Sequence, residues 1–148
     1  MAAEYSANAA QDILANGSMI FTESPVPCNC GFIYHRDGSG IFRLANRFFR
    51  QYIMNNNRRN ADYLVSVSGN IAIPTGGTVE PISIALAIDG EVDPSSIMTI
   101  SPTAVELFNN VSTTINVRVP YLCSCSSVSV RNISTQTITA QNFNIVFE

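Results

Sequence analysis

The sequence predicts an all-β fold, a β-sandwich of jelly-roll type, and three observations carry that expectation. The composition is rich in Ile and Val, lacks Trp, and returns repeatedly to Gly, Pro and Asn, the residues of turns. Several runs alternate apolar and polar residues, which gives a strand one core-facing and one water-facing side. Turn signals separate those runs, so the chain breaks into about eight to ten short strands, as a sandwich or jelly roll requires. At 148 residues it makes one domain, long enough to bury a core without staples.

The elements follow in order. Residues 1–17, "MAAEYSANAAQDILANG", are rich in Ala and Asn. Tyr5, Ala9, Ile13 and Leu14 fall at roughly helical spacing and Asn16-Gly17 is a stop signal, so a short helix or an extended arm both fit. The apolar stripe is weak, and the expectation is an arm outside the core, with the jelly-roll domain occupying residues 18–148. "SMIFT" reads as a short strand. In "PVPCNCGFIYHRDGSGIFRL", the β-prone runs "GFIYHR" and "IFRL" flank Asp37-Gly38-Ser39-Gly40, residues that tolerate positive φ. That is a hairpin, not a phosphate loop, since no helix opens after the glycines and no lysine accompanies them. Residues 46–60 then dissolve into an Arg- and Asn-rich connection.

Beyond it the strands are clearer. In "ADYLVSVSGNIAI", Tyr63, Val65, Val67, Ile71 and Ile73 face the core, with Ser66, Ser68 and Asn70 opposite. "PTGG" breaks the run, and "ISIALAIDGE" repeats the pattern with Ile82, Ile84, Leu86 and Ile88 inward before an Asp89-Gly90 turn. "MTISPTAVELF" is interrupted by Pro102 and belongs at an edge or a corner. "NVSTTINVRV" turns Val111, Ile115, Val117 and Val119 inward, and "SSVSVRN" does so with Val128 and Val130. In the last run Phe143, Ile145 and Phe147 share a face while Ile138 has the opposite parity, so a bulge or bend is expected near Ala140.

Hydrophobic residues make up 46% of the chain and charged residues 13%, with no lysine. Such a chain has a large core or hides apolar surface against partners. The net charge of −3 makes no case for nucleic acid. Six of the eight arginines nevertheless cluster, at Arg36, Arg43, Arg47, Arg50, Arg58 and Arg59. They form a solvated loop, a docking patch for an acidic protein surface or, the least favoured reading, a nucleic-acid contact, and Arg43, Arg47, Arg50, Arg58 and Arg59 are the candidate partner-binding residues. The start shows no basic-then-apolar leader and no run is long enough to span a membrane, so a cytosolic origin without membrane partners is expected.

The sharpest chemical feature is the pair of Cys-x-Cys segments, Cys28-Asn29-Cys30 and Cys123-Ser124-Cys125. On a strand both sulfurs of each pair point one way, and antiparallel segments would gather all four. Three readings stay open: free small residues, cross-strand or inter-subunit disulfides, and a zinc cluster, although zinc ligands are usually spaced further apart. His35 has no catalytic company, and the acids Asp37, Asp62, Glu80, Asp89, Glu91 and Asp93 sit in turns. The segment "DGEVD" is too short for a helix-loop-helix calcium site. No facing carboxylate pair and no base beside a nucleophile can be found. The expectation is a protein without enzymatic activity, cofactor or resident metal.

"YLVSVSGNIAIPTGGTVEPISIALAIDGE", then "VSTTINVRVP", then "SSVSVRNISTQTITAQNFNIVF" resembles the trimeric jelly rolls of the tumour-necrosis-factor and complement-globular-head type. More closely, it is similar to a bacterial and phage version of that fold. There a "Y-x-V-x-x-x-x-N-I" strand leads to "I-S-x-A-L-x-x-x-G", and a "V-x-V-x-N-x-S" strand precedes a terminal "N-x-x-I/L-x-V" strand. The likeness covers roughly residues 61–148. It implies a homotrimer whose inner strands pack around a threefold axis, in a phage virion: a capsid decoration or head-fibre protein made in the host bacterial cytoplasm. The arm and the Arg-rich loop would anchor it to the major capsid protein or another virion protein. The alternative is a bacterial surface or fibre-tip domain recognising a glycan or receptor. The Arg/Asn-rich connection and the Cys-x-Cys pairs depart from the compact versions of the fold.

Overall fold

A computed structural model describes residues 3–28, 32–46, 60–120 and 125–148. The chain is all-β. In order it forms β1 (Ala3–Ala7), β2 (Gln11–Ile13), β3 (Glu23–Val26), β4 (Ile33–Tyr34), β5 (Phe42–Ala45), β6 (Ala61–Ala72) and β7 (Ile82–Ile88). β8 (Glu91–Val92), β9 (Met98–Ile100), β10 (Asn109–Val119), β11 (Cys125–Asn132) and β12 (Ile138–Phe147) follow, with a 3-10 turn at Pro94–Ser96. One sheet runs β10-β6-β12-β1-β3 with β2 also on β12, and the other runs β4-β5-β11-β7-β8 with β9 also on β7. The pairings within both are antiparallel. This is the expected jelly-roll sandwich. Among the described residues no helix is long and apolar enough to cross a membrane.

Alternation builds the first sheet. Tyr63, Val65, Val67 and Ile71 of β6 and Val111, Ile115, Val117 and Val119 of β10 are buried. The register Val65↔Ile115 and Tyr63↔Val117 puts the two apolar rows side by side. Between the sheets Phe42 is surrounded by Tyr5, Phe21 and Phe147, with ring centroids 5.0, 5.1 and 5.1 Å away. Rings at this separation and tilt gain electrostatic as well as burial energy. The Tyr63 hydroxyl donates to the Ala45 carbonyl, and the buried Asn46 donates to the Val119 carbonyl at 3.0 Å, tying one sheet to the other.

The irregularity expected near Ala140 is present. Ile138 and Ala140 are buried, and so are Phe143, Ile145 and Phe147 on the other parity. The register with β6 shifts between Gln141 and Asn144, with Asn142 at a φ of 53°. The bulge lays the Phe143 ring over Gly69 of β6, where a Cβ would stand 2.3 Å from ring carbons. A side chain at Gly69 would displace the ring.

The N-terminal segment differs from the expected arm. β1 lies inside the sheet between β12 and β3, in register Ala3↔Phe147, Tyr5↔Ile145 and Ala7↔Phe143, and β2 pairs with β12. Ala3, Tyr5 and Ala7 are buried. The reason is steric: two alanines let the strand lie close over the core while Tyr5 fills the space beside Phe42. The strand expected at "SMIFT" is also absent. Met19 and Phe21 are buried there, but the backbone makes isolated bridges, Ser18↔Arg131 and Phe21↔Ser39, and scattered bonds such as Thr22 N–H to the Ser6 carbonyl at 3.2 Å, not a ladder. Gln11 replaces a strand partner, its amide donating to the Ile20 carbonyl at 2.9 Å and accepting from the Ile20 N–H at 3.0 Å. The strand at this point of the chain is β3, an end strand in which Pro25 is tolerated. The Arg/Asn-rich connection lies, over residues 47–59, outside the described residues.

Candidate functional site

The hairpin is the expected one: β4 and β5 pair as Ile33↔Leu44 and Tyr34↔Arg43. Gly38 takes a φ of 86°, and the Ser39 N–H donates to the Arg36 carbonyl at 2.9 Å. The turn is pinned to the preceding segment. Gly38 N–H donates to Phe21 O at 2.9 Å, and the Ser24 hydroxyl donates to Asp37 Oδ1 at 2.7 Å. A Cβ on Gly40 would stand 2.8 Å from the Met19 carbonyl oxygen, so this glycine is needed for close approach.

His35 is structural. Its Nδ1 faces the Ile41 carbonyl at 3.2 Å and its Nε2 the Phe21 carbonyl at 3.1 Å. The ring stacks on Phe42 at 4.2 Å and 15°, with Tyr5 edge-on at 4.9 Å. Carbonyls only accept, so the imidazolium can satisfy both while a neutral ring satisfies one.

Outside this pin the hairpin borders a cavity of about 640 Å³, whose lining includes Tyr5, Ser24, Cys28, Tyr34, Arg36 and Arg43. Burial pushes the Tyr5 phenol above the ordinary tyrosine value of 10.0, the charge of Asp37 adds to the shift, and a hydrogen bond with the Cys28 backbone opposes it. Arg43 also borders a smaller cleft of about 260 Å³ with Ile41, Asp89, Ser126 and Ser127. Of the arginines expected to bind a partner, Arg43 is exposed on β5. Arg47, Arg50, Arg58 and Arg59 lie outside the described residues. Arg36, part of the same cluster in the sequence, joins Arg43 at the cavity, and so does Tyr34, whose place follows only from the hairpin register.

Cys28 is disulfide-bonded and packs against the core. A sulfur held in a disulfide is not a thiolate, so Cys28 is not free to ligate zinc. Cys30 and Cys123 lie outside the described residues. Cys125 stands opposite Ala45, whose N–H donates to the Phe32 carbonyl at 2.7 Å, so β11 places Cys125 beside the base of the hairpin. Among the described residues no group of three or more His, Cys, Asp or Glu side chains is placed to hold a metal.

Of the acids expected in turns, Asp62 and Glu91 instead stand on β6 and β8, and the others tie loops or neighbouring strands. Asp89 and Gly90, at φ of 52° and 87°, make the tight turn between β7 and β8, and Asp89 Oδ1 accepts from the Ser127 N–H at 2.8 Å. Asp93 caps the 3-10 turn, accepting from the Ser95 N–H at 3.0 Å and its hydroxyl at 2.8 Å. Glu80 accepts from the Thr135 hydroxyl at 2.9 Å and Asp12 from the Thr139 hydroxyl at 2.7 Å.

A second surface escaped the sequence reading. The outward face of β10-β6-β12 carries hydroxyls and amides bonded to one another: Ser66 with Thr114 at 3.0 Å, Ser68 to Asn144 at 2.9 Å, Asn110 to Asn70 at 3.3 Å. Charge enters it at the Arg118–Asp62 pair, 2.8 Å apart. The bonded carboxylate raises the Arg118 pKa.

No family model matches the sequence, and no curated protein does. Solved structures are similar over the whole chain. Eiger TNF from S. frugiperda is 11% identical, with a TM-score of 0.65 over 100% of this chain and 91% of that one. Murine APRIL is 6% identical, with a TM-score of 0.63 over 100% and 99%. The globular domain of zebrafish complement 1qA is 8% identical, with a TM-score of 0.58 over 97% and 94%. At these identities the likeness is one of fold: the chain is a jelly roll of the tumour-necrosis-factor and complement-globular-head type.

Proposed function

We propose that the chain is a non-enzymatic structural module that works as a homotrimer, the sheet β10-β6-β12-β1 facing its copies. The observation that carries this is the charge-poor middle of that sheet's outward face, with the Arg118–Asp62 pair at one end and the Glu4 carboxylate of β1 bonded to Asn144 at 3.1 Å. Interface centres are poor in charge, and here Ser66, Ser68, Asn70, Ser112, Thr114, Asn116 and Asn144 form a continuous Ser/Thr/Asn surface with exposed Leu64 among them. Hydroxyls and amides already bonded to one another lose little on desolvation. Three copies about one axis close the assembly and leave no face for runaway growth. The fold likeness supports the number, and the bonded, structural roles of Asp12, Asp62, Glu80, Asp89 and Asp93 support a non-catalytic part.

The place we infer for such a module is a phage particle, as a capsid decoration or head-fibre protein. That assignment rests on the sequence resemblance. Because β1 is a core strand, anchoring would fall to surface loops instead of an N-terminal arm. Two measurements test the reading. Ser68→Arg, placing an unpaired cation in the charge-poor middle of that face, should convert a trimer to a folded monomer, and an unchanged mass would remove that face from the interface. Sedimentation of the chain with purified particles would support the virion role, and its absence from particles would overturn it.

A further inference from the structure

Residues 28–59 hold six of the eight arginines and one of the eleven acids. That acid, Asp37, already accepts from Ser24. All eleven acids lie among the described residues, and the ion pair found there is Arg118–Asp62. Arg36 and Arg43 therefore line one cavity without an ion pair to a carboxylate, Asp89 sharing only the smaller cleft with Arg43 and bonding Ser127. Two like charges sharing a concavity repel, and that cost is recovered when an anion enters. Two apolar side chains of the lining, Tyr34 and Ile41, are 56% and 50% exposed at its rim. In the strand order β3 ends one sheet and β4 ends the other, and both contribute to the lining, so the cavity sits on the open side of the sandwich. End strands are where an extended chain can be added, with alternate side chains reaching pockets.

We propose that this cavity is a docking site for an extended acidic segment of a protein partner, its carboxylates on Arg36 and Arg43 and an apolar side chain against Tyr34 and Ile41. Guanidinium groups suit carboxylates because their planar donors can bond both oxygens. The apolar rim and end strands favour a peptide over a saccharide. The site lies away from the β10-β6-β12 face, so it stands or falls separately from the trimer.

The test is binding of the full chain to a fluorescent oligo-glutamate peptide carrying one leucine, beside a charge-matched oligogalacturonate, at low and high salt. The expected result is salt-sensitive peptide binding, weakened about tenfold by Arg36→Gln and again by Arg43→Gln, the loss of one charge-assisted bond each. Arg118→Gln, on the other sheet, should leave it unchanged, and circular dichroism checks that every variant is folded. Three results would overturn the proposal: no peptide binding at low salt, equal binding by the double variant, or binding of the oligogalacturonate alone, which would make this a saccharide site.

Discussion

Tyr5→Ala separates the strand found at the N-terminus from the arm the sequence suggests. Tyr5 is 3% exposed, its ring centroid 4.9 Å from His35, 5.0 Å from Phe42 and 6.1 Å from Phe147. Removing a buried aromatic side chain forfeits its transfer energy and leaves a void that neighbours fill only partly, costing about 3–5 kcal/mol. The walls of that void are rings held by other strands, and Phe42 also packs on Phe21, so collapse is limited and the upper half of the range applies. A domain of ordinary stability has about 5–15 kcal/mol in all, so the variant should be close to unfolding. In an arm the same change would stay within about 0.5 kcal/mol. Urea titration followed by circular dichroism, at one fixed protomer concentration because assembly adds to apparent stability, measures the difference. A Tyr5→Ala midpoint indistinguishable from that of the parent chain would refute the placement of β1 in the core.

Gly69→Ala should cost about 1–3 kcal/mol by pushing the Phe143 ring out of place, and Phe143→Leu in the same chain should return part of it; additive losses in urea melts would contradict the contact. Gly38→Val, at a φ of 86°, should lower the melting temperature through about 1–2 kcal/mol of backbone strain, whereas an unchanged melt would mean the turn does not need that conformation. Because the folded Tyr5 phenol titrates above 10.0, its contribution is complete below that value and is lost as pH rises through the folded pKa. Stability should therefore fall on the alkaline side, and Tyr5→Phe should flatten that decline; an equal decline in the variant would assign it elsewhere.

The legible parts of the fold are those where one face is uniformly apolar. β6 and β10 alternate cleanly because one side meets the core and the other the outer face, and the parity change between Ile138 and Phe143 announced the bulge. β1 was hidden by its alanines. Ala3 and Ala7 have helix-favouring chemistry and little apolar bulk, and only the close approach to β12 turns them into core residues. β3 was masked by Pro25, harmless in an end strand. The run at 18–22 looked like a strand because Met19 and Phe21 do point inward, but its backbone bonds are scattered over Val130, Ser39, Ser6 and the Gln11 side chain, which no periodicity reveals. At the site, the arginine cluster and the hairpin were readable from composition and turn chemistry. That Arg36, Tyr34 and Arg43 meet at one cavity depends on hairpin register and on the neighbouring end strand, both products of tertiary packing. The buried Asn132, which donates to the Ile13 and Gln136 carbonyls at 2.9 Å each, likewise carried no signal in the sequence.

Light scattering on the purified chain, coupled to size exclusion at micromolar protomer concentration, tests the central claim most directly. A single species of three times the 16.1 kDa chain mass is expected, unchanged on dilution across the elution peak. A species at the mass of one chain would contradict it, and would mean that the charge-poor outward face of β10-β6-β12 is simply a solvated surface.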